Sequence, residues 1–353
     1  MQSITTGLVG RIARLLLAAS LSSTLWQSTP AWARTQAERD QASKDLASLW
    51  GPDESRIQAR SPTTIEHLLR DGADPNYGAR EGNTPMSFAS WVGDLETLEL
   101  FSRYHANFNV ADSNGYTPLM EAIINNKVDA VELLLKLGAR IQDRPHTGST
   151  ALILAAGGAI DESIKPESQS DFRVARSLIE HGALINERGA YNRTPLMMAA
   201  CNEQAAVVKF FLRSAADLEA RDDYGFTALA VAADRNLPDI IEILVDSGAK
   251  IEAENKLSET PLTLATRVGA LEAARTLIGL RAKIDPNVTS IALTQIKDNQ
   301  YREDPYPWIS EGNADRPTHI RATVKYMIEH GAPKPTAELA KYLEIKRSKR
   351  SQD

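Results

Sequence analysis

Six histidines and one cysteine are the side chains of this chain best suited to metal or nucleophilic chemistry. His67, His105, His146, His181, His319 and His330 share no ligand-like spacing, whereas metal sites need clustered ligands. His181 and His330 each sit in I-E-H-G-A, at an expected helix end, where a cation meets the negative end of the helix dipole. Cys201, with Arg193 nearby in sequence, has the makings of a reactive thiol, but reads more simply as an inert small residue. Being alone, it forms no internal disulfide, which suits an oxidising compartment. Acid pairs such as Asp222-Asp223 fall among turn-forming residues and lack the enclosed pocket that acid–base catalysis requires. There is no G-x-S-x-G, H-E-x-x-H, Walker loop, G-x-G-x-x-G or paired C-x-x-C. No catalytic, cofactor-binding or metal-binding residue is therefore expected, and the chain is read as a non-enzyme.

The elements that carry these residues repeat. Threonine-led triplets begin at Thr84, Thr117, Thr150, Thr194, Thr227 and Thr260, spaced 33, 33, 44, 33 and 33 residues apart. A second marker runs in phase at Gly72, His105, Gly138, Gly182, Ala215, Gly248, Arg281 and Gly331, each followed by alanine. A fixed period of this length predicts a stacked repeat array. Within residues 112 to 142, Asp112, Asn114 and Gly115 form a turn, Thr117 caps a helix and Pro118 fits its first turn. Leu119, Ala122 and Ile123 share one face of that helix, which ends at Asn125-Asn126. Val131, Leu134 and Leu135 share a face of a second helix, closed by Gly138. Neither stripe can be buried within one unit, so neighbours must stack.

This unit resembles the ankyrin repeat, with its T-P-L-H-x-A signature and 33-residue period, over roughly residues 40 to 335. The layout is similar to exported bacterial ankyrin-repeat proteins. The resemblance implies an all-α solenoid of about eight helix-turn-helix units, hairpin-like inter-repeat turns and degenerate capping units at both ends. The histidine of the signature is missing from every unit, its place taken by Ser87, Met120, Ile153, Met197, Ala230 and Thr263. In the family it ties neighbouring loops, so a softer array is expected.

Three segments are expected along the chain. Residues 1–33 read as a signal peptide: Arg11 and Arg14, an apolar stretch from Leu15 to Trp26, and the cleavage pattern Ala31-Trp32-Ala33. That stretch is too short for a membrane span, so none remains after cleavage. Residues 34–335 form the array, with inserts at 157–171 and 301–317. Residues 336–353 form a C-terminal helix and basic tail. Without residues 1–33 the charge is 38 − 46 = −8, a poor match for nucleic acid.

The resemblance implies that partners meet a concave face of turn tips and first helices, at residues four, three and one before the threonine and seven and eight after it. Reading those positions gives Arg80, Trp91, Tyr116, Tyr191, Arg193, Tyr224, Phe226 and Arg235 as protein-binding candidates. Aromatic residues and arginine are the side chains that dominate interfaces. Tyr306 and Trp308, in the second insert, are further candidates. The expected function is a periplasmic or secreted, monomeric module that binds and modulates another protein, without cofactor. Neutralisation of a toxic envelope hydrolase, as an immunity protein, is one alternative; secretion as an effector acting on a host protein is another.

Overall fold

The computed structural model describes residues 34–49, 61–78, 84–157, 172–298 and 316–343. The expected signal peptide, most of both inserts and the basic tail lie outside these residues. The described part is an all-helical solenoid of eight helix pairs, with no strand among the described residues. The pairs are α1 (Gln36–Ser48) with α2 (Pro62–Arg70), α3 (Pro85–Val92) with α4 (Leu95–Arg103), and α5 (Pro118–Ile124) with α6 (Val128–Lys136). Next come α7 (Ala151–Ala155) with α8 (Phe172–Glu180), α9 (Pro195–Cys201) with α10 (Ala205–Arg213), and α11 (Ala228–Asp234) with α12 (Pro238–Asp246). Then α13 (Pro261–Val268) pairs with α14 (Leu271–Gly279), and α15 (Val288–Asp298) with α16 (Arg316–Glu329). A short α17 (Ala337–Ala340) follows.

Local chemistry sets each unit. All six marker threonines accept a hydrogen bond from the backbone N–H three residues on, at 3.2–3.4 Å, which satisfies a donor the helix start would leave orphaned. The second helices end in a left-handed residue at all eight second-marker positions, from His105 at φ 58° to Gly331 at φ 106°. The alanine that follows donates back across the helix end, as Ala139 does to the Leu134 carbonyl at 3.0 Å and Ala332 to Met327 at 2.9 Å. This closure explains why the alanine never varies: its Cβ turns into the unit, and Ala73, Ala106 and Ala139 are buried there.

The two helix rows differ in kind. The first helices α5, α7, α9, α11 and α13 are buried almost all round, and every residue of α11 is buried. Their alanines, among them Ala122, Ala199, Ala232 and Ala265, let neighbouring first helices approach closely. Second helices bury one stripe, such as Ala130, Val131, Leu134 and Leu135 of α6. Burying each such leucine contributes roughly 1.5–3 kcal/mol.

The loops are tied by other residues than the missing histidine. Arg144 Nη1 donates to the Gly148 carbonyl of its own turn and to Arg188 O in the next unit, at 3.1 and 2.8 Å. Arg188 does the same to Asn192 O and Arg221 O, at 2.8 and 2.7 Å, and Arg221 to Gly225 O and Glu254 O. On the other edge, Asn76, Asn109 and Asn186 accept from backbone N–H groups 31 residues later, at 2.6–2.8 Å. Glu219 and Glu252 continue that row.

Both ends are atypical. Thr35 and Glu38 form a reciprocal cap on α1, and Arg34 pairs with Asp71. At the far end Ala292, Leu293, Ile320 and Val324 form a separate small core, covered by Leu339, Tyr342 and Leu343. Gly269 permits this closure, since a Cβ there would lie 2.6 Å from the Ile320 backbone nitrogen.

Candidate protein-binding surface

The candidate surface is built from the turn tips and first helices. Three of the tips are held by one side-chain acceptor each: Asp222 Oδ1 takes the N–H groups of Tyr224 and Phe226, both at 2.9 Å. Asp112 and Asn255 act identically in their own turns. Adjacent tips join through backbone bonds, Asp223 N–H to Tyr191 O and Lys256 N–H to Tyr224 O, each 3.0 Å. This is the turn-forming role expected of Asp222.

The third residue before the threonine faces outward. Tyr191 is 45% exposed and Leu257 75% exposed, with the half-buried Tyr224 between them in the series. The Tyr191 and Tyr224 rings stack, with centroids 6.4 Å apart. Tyr191 sits in the left-handed region at φ 55°, which sets this tip apart, whereas Asn192 at φ 57° follows the other tips, where Gly115, Gly148, Gly225 and Ser258 take positive φ at the same place. Trp91, at the end of α3, is 51% exposed.

The residue immediately before the threonine is buried in every described unit. Tyr116, Ser149, Arg193, Phe226 and Glu259 all lie between one tip and the next. Tyr116 and Phe226 are therefore corrected: their rings pack within the stack and offer no surface to a partner. Arg193 is also largely withdrawn; its guanidinium lies 5.7 Å from the Tyr191 ring centroid and its Nε 4.0 Å from Asp222. It backs the exposed tyrosine instead of standing free beside it. Arg235 is half-buried. Arg80, Tyr306 and Trp308 lie outside the described residues.

Seven residues after the threonine, only the Thr84 unit presents an exposed side chain, Trp91; Ile124, Cys201, Asp234 and Arg267 are buried. Arg267 reaches Glu259 at 3.0 Å and Asp234 at 3.8 Å, so these charges serve each other. Cys201 packs among Phe226, Ala230, Val231 and Leu264, and burial pushes its thiol up. A raised thiol is less reactive at neutral pH, which removes the reason to suspect a nucleophile.

One residue of this surface escaped the sequence reading. Glu121 on α5 lines a cleft of about 210 Å³ with Ser87, Phe88 and Trp91. Burial, then the like charge of Asp112, pushes its carboxyl up to about 7. The signal was present: Glu121 is a lone acid in P-L-M-E-A-I-I, an otherwise apolar helix. Among the described residues, no group of three or more His, Cys, Asp or Glu side chains is placed to hold a metal ion. Nor is any described helix long and apolar enough to cross a membrane.

Comparison with known proteins agrees with this architecture. The family model for ankyrin repeats (3 copies) matches residues 57–145, 88–165, 166–255 and 196–290. The mouse B-cell lymphoma 3 protein homolog is 29% identical over 145 residues, 40% of this chain and 30% of that protein. Ankyrin repeat protein OPG189 of variola virus is 27% identical over 176 residues, 44% of this chain and 31% of its own length. The matches thus span under a third of these two relatives. The human ASB11 ankyrin repeat domain superposes with a TM-score of 0.56 at 19% identity, covering 71% of this chain and all of that domain. Ankyrin arrays are generally scaffolds for binding other proteins, without catalysis of their own. With the period, caps, paired helices and family match in agreement, this chain belongs to the ankyrin-repeat family.

Proposed function

We propose that this chain is an exported, non-catalytic binding module that engages a partner protein in the periplasm and modulates it. The observation that carries this reading is the set of exposed large side chains on the tips and first helices: Trp91, Tyr191 stacked on the half-buried Tyr224, and Leu257 at the next tip. Large amphipathic side chains held rigidly in the open are poorly used by a monomer and well used by an interface. The Tyr191 tip is pre-organised by its backbone bond to Asp223 and by Arg193 behind it, which lowers the ordering cost of association. Export is supported by the Arg11, Arg14 and Ala31-Trp32-Ala33 pattern. Cleavage after Ala33 would leave the Arg34–Asp71 pair intact.

Affinity capture from an envelope fraction, with residues 34–353 as bait, tests this reading. A second bait carries Trp91→Ala, Tyr191→Ala and Tyr224→Ala together. A protein held by the first bait and lost from the second is the expected result. Its activity with and without the bait then separates inhibition from support. Equal retention by both baits would move the interface off this surface. Recovery of the full-length precursor from the cytoplasm alone would end the export reading.

A further inference from the structure

The fourth residue after the marker threonine belongs to the apolar fabric of the array. It is Phe88, Leu154, Met198, Val231 and Leu264 in five units, and Glu121 in the sixth. An acid at this position is set against α3, P-M-S-F-A-S-W-V, and α7, A-L-I-L-A, neither of which contains an ionisable residue. The charged group that acts on it is Asp112 at the tip; Lys127 and Asp129 begin α6, with the Lys127 stem lying against Gly93. Glu132 and Lys136, further along α6, pair with each other at 3.9 Å on the exposed side. The Glu121 carboxyl makes no hydrogen bond or ion pair with the described residues.

That carboxyl lines the cleft together with Ser87, Phe88 and Trp91. Ser87 is already engaged with Thr84 at 3.1 Å. Trp91 is half exposed. An aromatic ring and an uncompensated carboxyl around a small opening make a poor site for an anion. A cation satisfies both groups at once: its charge meets the carboxylate, and its desolvated stem or plane meets the indole, the best of the aromatic partners for a cation.

We propose that the Trp91–Glu121 cleft is a subsite for one basic side chain, lysine or arginine, of the partner protein. This rests on the reading that this surface binds protein, and it names the chemistry the surface selects. The chain's own charge of −6 agrees, since it draws basic surfaces toward the array. In the empty cleft the carboxyl is protonated over part of the neutral range, with its midpoint at about 7, so binding the cation expels a proton. Capture is thereby coupled to pH.

The full chain is titrated with N-acetyl-arginine amide, using the Trp91 indole N–H resonance, identified through Trp91→Phe, as the readout. N-acetyl-citrulline amide, of nearly the same shape but uncharged, is the control. A saturable shift is expected with the arginine compound and none with citrulline. If only the ionised carboxylate binds, the apparent affinity at pH 5.5 falls about thirtyfold from its value at pH 8. Glu121→Gln, close to isosteric, is expected to abolish the response while its circular dichroism stays native-like and its melting stays cooperative. Equal responses to both compounds would make the cleft a stacking site and overturn the proposal. So would an undiminished response in folded Glu121→Gln, or no saturable shift with arginine. In the last case, partner capture by the unmodified bait would still leave the protein-binding reading standing.

Discussion

Glu121 holds its proton at pH values where an ordinary glutamate is charged, because burial opposes ionisation and Asp112 adds a like charge. Its pKa rises from 4.5 to about 7 on folding. Between those values the folded chain keeps a proton that the unfolded chain has released. The favourable contribution to folding is therefore fully present below 4.5 and lost as pH rises through 7. Glu121→Gln removes this dependence. At pH 8 the variant is expected to be more stable than the parent by on the order of 1–2 kcal/mol, and at pH 4.5 equally stable. Urea unfolding at the two pH values checks this; a less stable variant at pH 8 would mean that the charged carboxyl supports the fold. The same residue is thus costly to the free array and useful to a cationic ligand, which is the conflict expected at a functional position.

At the scale of the element, each helix end has its own small device, and two of them can be varied independently. Thr227 is buried and accepts from the Ala230 N–H at 3.3 Å. Thr227→Ala leaves that donor unmet and is expected to cost about 1 kcal/mol. Ala215 closes α10 at φ 62°, where most units use glycine at φ 87–106°. Relief of its Cβ outweighs the extra freedom glycine gives the unfolded chain, so Ala215→Gly is expected to stabilise by about 0.5 kcal/mol. Thermal or urea melts of the two single variants read the opposite signs; the same sign in both would discredit the capping account. The Arg144, Arg188 and Arg221 row acts between elements, holding each turn to the next, and takes over the task that the histidine of the usual signature performs.

On the scale of the molecule, stability is shared between neighbours and carried to the ends by caps. Ile320 is fully buried against α15, and its backbone seats on Gly269. Ile320→Ala is expected to cost about 2–5 kcal/mol locally. Hydrogen exchange should accelerate in α15 to α17 while α3 to α6 keep their protection, because each unit contacts only those beside it. Uniform loss of protection along the array would instead mark it as one cooperative block. The acidic whole-chain charge acts on the same scale, steering basic partners before any contact is made.

How far these features could be read in advance follows the range of the forces involved. The sequence alone determined the period, the threonine caps, the left-handed closures and the pairing of short helices, because each depends on hydrogen bonds spanning three to six residues. Asn126 was legible as a left-handed stop, and it sits at φ 52°. The choice among aromatic residues at the tips was different. Tyr116 and Tyr191 both precede a marker threonine within three residues, yet one is buried and the other 45% exposed. Glu121 and Trp91 lie 30 residues apart; a lone acid in an apolar helix marks Glu121, but nothing local pairs it with Trp91 across a cleft. Which side chain is covered depends on the neighbouring unit's tip and helix, a contact made across a whole repeat. Only the stacked tertiary structure decided burial, charge pairing and the shape of the binding surface.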